Sequence, residues 1–108
     1  MKLSNLVEQL GLKQLTKPAE DREISNVYIG DLLSIVMTKC EENNLWITSQ
    51  THMNIVSVAD LNDVAGILIV GDVELEKSLI EKAEEFGVSL MTCEEEAYEI
   101  ACRIGEVL

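Results

Sequence analysis

The chain predicts an α/β fold, a single domain with a mainly parallel sheet of four to five short strands and helices packed on it. Three observations carry this. Short apolar runs recur at regular intervals, at Ile24 to Ile29, Leu45 to Thr48, Ala65 to Val70 and Val88 to Met91. A segment with helical spacing follows each run, and such βα repetition implies right-handed crossovers and a parallel sheet. Two of the strand ends repeat one pattern, Tyr28-Ile29-Gly30-Asp31 and Ile69-Val70-Gly71-Asp72, which reads as recurring strand-to-helix chemistry.

Taken in order, residues 1–23 supply an N-terminal helix, a short strand and a loop, and residues 24–108 supply the βα-repeat core. Leu3, Leu6, Val7 and Leu10 form one face of a helix that Gly11 ends. Leu12 to Thr16 suits a strand, and Pro18 punctuates a polar loop, Lys17 to Glu23, expected to be mobile. After Ile24 to Ile29, Gly30-Asp31 leads into a helix through Cys40, and Asn43-Asn44 is a turn. Leu45 to Thr48 is the next strand and Thr51 to Leu61 a helix. Ala65 to Val70 is nearly all apolar, as a strand buried on both faces should be. Glu74 to Phe86 carries the stripe Leu75, Leu79, Ile80, Ala83 and Phe86 with charges opposite, and Gly87 stops it. Thr92-x-x-Glu95 reads as a capping box opening a last helix that buries Ala97, Ile100, Ala101 and Ile104.

Composition narrows the function. A chain of 108 residues is one domain by size. Twenty acids against eight bases give a formal charge of −12, which opposes phosphate backbones and anionic lipid, so neither nucleic acid nor membrane is an expected partner. Eleven acids lie between Asp72 and Glu106, where solvated helix faces explain them better than a docking surface for a basic protein. Three cysteines without a C-x-x-C suit a reducing, cytoplasmic setting. Met1-Lys2-Leu3-Ser4 runs into an amphipathic segment and not a signal peptide.

Parallel topology would bring the four strand-to-helix turns to one carboxyl edge, the usual ligand position in such folds. Ser49, Gln50, Thr51, His52 and Asn54 could there contact a polar or anionic ligand at a helix start. The commoner role is Thr51 as helix cap with His52 as an ordinary first-turn residue. A general base at His52 lacks a nucleophile or orienting partner, so no catalytic residue is assigned. Asp31 and Asp72, each after Gly, are expected as N-caps, with a Mg²⁺ pair as the alternative. No G-x-G-x-x-G or G-x-x-x-x-G-K-[ST] loop is present, and no zinc spacing, so neither cofactor nor metal is expected. Cys40, Cys93 and Cys102 are expected in structural roles, Cys40 and Cys102 as small core residues.

The pattern from Ile24 to Met91 resembles the DRTGG domain family. That family carries a G-D-R element opening a helix after one strand and a T-G-G element after the next. The matching positions here are Gln50-Thr51-His52 and Val70-Gly71-Asp72, so Gly71 and the apolar frame are kept while both polar elements differ. Leu3 to Thr16 with Ile24 to Ile29 is also similar to the N-terminal domain of HPr kinase/phosphorylase. The resemblance implies a small α/β module with no activity of its own, acting in regulation or association and usually attached to CBS pairs, phosphotransacetylase or inorganic pyrophosphatase. A stand-alone, divergent copy would act as a homodimer or on a partner protein in trans. The alternative is a sensor binding an anion or nucleotide around Ser49 to His52, Asn54, Asp31, Gly71 and Asp72. A small enzyme using His52 is the third expectation.

Overall fold

Five strands form one sheet in the order β1-β5-β4-β3-β2, in a computed structural model that describes all of Met1–Leu108. The strands are β1 (Lys13–Thr16), β2 (Asn26–Ile29), β3 (Asn44–Thr48), β4 (Gly66–Ile69) and β5 (Leu90–Thr92). The helices are α1 (Leu3–Leu10), α2 (Leu33–Lys39), α3 (Asn54–Asn62), α4 (Lys77–Glu85) and α5 (Ala97–Val107). β2 through β5 run parallel, and β1 alone is antiparallel, paired with β5. The α/β reading and the mainly parallel sheet both hold.

Alternating side chains split the core between the two faces of the sheet. Trp46, Ile67, Ile69 and Leu90 point to one face and pack under α2, α3 and α4. Leu45, Ile47, Leu68 and Met91 point to the other and pack under α1 and α5. Every residue of β3 and β4 is buried, so their continuous apolar runs are explained by burial on both faces. Gly66 is required by this packing. A Cβ there would stand 2.8 Å from the Met91 methyl and 3.2 Å from Leu3.

Several local expectations are corrected. α3 starts at Asn54 and not at Thr51, and α4 starts at Lys77 and not at Glu74. Thr92 ends β5, so the capping box at the start of α5 is Glu96 with Glu99 and not Thr92 with Glu95. Ala97 and Ala101 are half-buried, and Phe86 is exposed at the end of its stripe. Cys40 is buried as expected, whereas Cys102 is exposed, on the outer face of α5.

The loop of residues 17–23 is tied down at three places. The Asp21 carboxylate accepts the Ser4 N–H at 3.1 Å and the Ser4 hydroxyl, so it serves α1 as a cap from outside the helix. Ala19 N–H donates to Gly87 O at 3.3 Å. Arg22 donates to Asn43 Oδ1 and Asp63 O, each at 3.1 Å, and pairs with the Asp63 carboxylate.

Candidate functional site

The four turns Gly30-Asp31, Ser49 to His52, Gly71-Asp72 and Thr92-Cys93 do gather at the carboxyl edge, because β2 to β5 are parallel. Their side chains, however, are turned mostly on one another. The Asp31 carboxylate accepts the Thr48 hydroxyl at 2.8 Å, the Ser49 N–H at 2.8 Å and the Ser49 hydroxyl at 2.9 Å. The Ser49 N–H, with the Thr48 and Ser49 hydroxyls, holds the Asp31 carboxyl below its ordinary pKa. Gln50 donates its side-chain amide to Asp31 O at 3.2 Å and its N–H to the Thr48 hydroxyl oxygen at 3.1 Å. Asp31 is therefore a cross-strand clamp between the ends of β2 and β3, and α2 begins beyond it at Leu33, behind Leu32, without a side-chain cap.

At the start of α3 the expected cap is replaced. His52 Nδ1 accepts the Asn54 N–H at 3.1 Å, a role Thr51 does not fill. That bond requires Nδ1 to be unprotonated.

Gly71 and Asp72 are held from the β5 side. Gly71 N–H donates to Glu95 O at 2.9 Å and Asp72 N–H to Cys93 O at 3.2 Å. Both have positive φ, +94° at Gly71 and 53° at Asp72. A Cβ on Gly71 would lie 3.3 Å from the Glu96 carboxylate, so the glycine lets this turn meet the start of α5. Asp72 caps nothing, since α4 starts at Lys77 behind Glu76.

Two clefts open along this edge. One, of about 240 Å³, is lined by Asp31, Thr48, Ser49, Val70, Glu96 and Ala97 with Ile29 and Ile47 at its apolar wall. The other, of about 460 Å³, contains Asp72, Glu74, Cys93, Glu94 and Glu95 with Lys13 and Arg103. The structure thus brings Asp31 and Ser49 together and separates them from Asp72. The two aspartates line different clefts, and no Mg²⁺ pair is assembled from them. Gln50, Thr51, His52 and Asn54 border neither cleft.

Sequence reasoning missed Thr48, Glu96 and Arg103. The Glu96-x-x-Glu99 spacing was a legible capping signal, and Arg103 stands out as the one cation after Lys82. Arg103 donates to both Glu95 oxygens at 2.7 Å and to Leu10 O at 2.8 Å, tying α5 to α1 and to the loop after β5. The chemistry of the smaller cleft is acidic. Two carboxylates face it, and the capping box engages the Glu96 and Glu99 N–H groups at the start of α5, so an anion there would meet like charge at a helix end already capped. Burial pushes the Cys93 and Cys40 thiols up, which disfavours a nucleophilic thiolate at either.

Among solved structures, the chain is similar to the CBS and DRTGG domains of the regulatory region of Clostridium perfringens pyrophosphatase, complexed with its activator diadenosine tetraphosphate. The identity is 14%, the TM-score 0.73, and the match covers 93% of this chain but 44% of that one, so the likeness is one of fold. No curated protein gives a significant sequence match. The DRTGG domain model matches residues 5–107, nearly the whole chain, and this protein belongs to the DRTGG domain family.

Proposed function

We propose that this chain is a non-catalytic regulatory module that works by protein–protein contact, as a homodimer or on a partner protein in trans. The observation that supports it is the internal engagement of the polar side chains at the ends of β2 and β3. Asp31, Thr48, Ser49, Gln50 and His52 each spend a polar group on an internal hydrogen bond, and no nucleophile stands beside a base. Membership of the DRTGG family, and the regulatory region in which the structural neighbour's DRTGG domain sits, agree with that role. The three free cysteines suit a reducing compartment, and no helix is long and apolar enough to cross a membrane.

A second reading, a nucleotide sensor, draws on the activator bound to the neighbouring regulatory region. The ligand would sit at the carboxyl edge, near Asp31, Ser49 to His52, Asn54, Gly71 and Asp72. Asp31 and Glu96 weigh against it, because a polyphosphate would meet two carboxylates and an already capped helix.

A thermal-shift series with AMP, ATP and diadenosine tetraphosphate separates the two. Ligand at about 100 times its Kd would add about 2.7 kcal/mol of stability. The interaction reading expects no shift, and no turnover of these nucleotides. A saturable rise in Tm that Ser49→Ala or His52→Ala abolishes would replace it with the sensor.

A further inference from the structure

The two edges of the sheet are built differently. β1 carries the devices that keep an edge from pairing: Lys13 on the strand, an irregular register between Gln14 and Thr16, and Pro18 just beyond. β2, Asn-Val-Tyr-Ile, has no charge, no proline and a regular register with β3. Gly30 N–H donates to Ile47 O, and Tyr28 stands opposite Trp46. In a parallel ladder this phase turns Tyr28 and Gly30 toward β3 and leaves the N–H and C=O of Val27 and Ile29 facing outward.

Both faces beside this edge are apolar. On one, α2 packs beside α3, and Leu32 and Ile35, which share a flank of the helix, are exposed, at 62% and 43%. On the other, α5 stops short of β2, and an apolar groove of about 410 Å³ lies between Val27 and Ile29 on the strand and Ile104 and Leu108 on the helix.

Charge selects the occupant. Residues 60–108 hold thirteen acids and three bases, so most of the surface repels a second copy. Residues 24–40 hold one acid and one base, Asp31 and Lys39, so this stretch is neutral overall. A basic partner would be drawn to the acidic last third. The edge at β2 lies in a stretch of no net charge, so two chains of charge −12 can meet there with few like charges opposed.

We infer that β2 is the homodimer edge, pairing antiparallel with β2 of a second copy about a two-fold axis, with the apolar flank of α2 and the groove beside α5 closed by the partner. This rests on the interaction reading above and names its surface. A closed two-fold contact of this kind also ends the growth that an open edge invites.

The test joins light scattering over a concentration series with hydrogen exchange, on wild type, Ile29→Lys and the control Phe86→Glu just after α4. The expected result is a dimer in wild type and Phe86→Glu and a folded monomer in Ile29→Lys. The Val27 and Ile29 amides should be protected in wild type and exchange at least tenfold faster in Ile29→Lys. Circular dichroism checks that the variant folds, and Leu32→Glu serves as a second disrupting change outside the sheet. A dimer that survives both substitutions with fast-exchanging Val27 and Ile29 amides would overturn this surface and leave the regulatory reading standing. A wild-type monomer at every concentration would overturn the inference too, leaving only a partner in trans. Failure of the regulatory reading would show itself separately, as turnover or a ligand-dependent Tm.

Discussion

Asp31 grips Ser49 with both carboxylate oxygens, taking the backbone N–H at 2.8 Å on one and the hydroxyl at 2.9 Å on the other. An aspartate placed to begin a helix instead bolts two neighbouring strand ends together. Replacing Asp31 with Asn weakens charge-assisted bonds and should cost roughly 1–3 kcal/mol. The pH dependence has a definite sign. The folded carboxyl lies below its ordinary value, so its contribution is complete above the unfolded pKa of about 3.9 and is lost as pH falls through the lower folded value. Urea unfolding should therefore show the largest gap between wild type and Asp31→Asn at neutral pH, closing in the acid range. A gap that widens on acidification would rule the clamp out.

Arg22 fastens the loop that composition alone marks as mobile. Its guanidinium joins Asn43 and Asp63, which both lie in left-handed turns at the amino side of the sheet. The Asp63 bond and charge raise the Arg22 pKa, and Arg22 in turn lowers that of Asp63. The pair is partly exposed, with side chains 24% and 49% accessible, so solvent screening limits its worth to about 1 kcal/mol. Arg22→Ala should leave the fold intact, speed proteolysis within residues 17–23 and raise amide exchange at Ala19 and Ile24. Unchanged cleavage would mean that Asp21 and Ala19 hold the loop alone.

The sequence made the central elements legible because their signals are local or come from burial. The runs Leu45 to Ile47 in β3 and Gly66 to Ile69 in β4 lack polar side chains since both faces are covered, and Leu79, Ile80 and Ala83 track one face of α4. What stayed hidden depends on partners distant in sequence. The antiparallel pairing of β1 with β5 joins Lys13 to Thr92, and nothing near either residue announces it. Asp31 and Asp72 carry genuine capping chemistry, but Ser49 captures the first and the β5 turn fixes the second. Thr92 lost its capping role because pairing with Ile69 and Lys13 keeps it in the strand. The carboxyl edge was foreseeable from βα alternation; its division into two clefts depends on Glu96 meeting Gly71, a contact of the tertiary fold.

His52 should behave as a helix cap. Its Nδ1 accepts the Asn54 N–H at 3.1 Å, and no other side chain caps α3. His52→Ala should cost about 1 kcal/mol, the usual worth of a capping side chain. His52→Asn, which restores a short acceptor, should recover most of that loss. If His52→Ala were neutral, the bond would contribute nothing and the residue would be free for ligand contact.

Trp46 is fully buried and donates its indole N–H to Gly30 O at 2.9 Å, linking the centre of β3 to the turn that carries Asp31. Trp46→Phe removes the donor and leaves both a smaller side chain and an unpaired carbonyl, at a cost of about 1–3 kcal/mol. Since Trp46 is the only tryptophan, wild-type emission reports this one environment and should be blue-shifted when folded. The variant is followed by far-ultraviolet circular dichroism in urea instead. Gly30→Ala probes the same turn from its other side, because a Cβ there would stand 2.9 Å from the Tyr28 ring. It should displace Tyr28 and red-shift Trp46 emission only if the carbonyl moves with it. A destabilised Gly30→Ala with unchanged emission would separate the packing of Tyr28 from the indole bond.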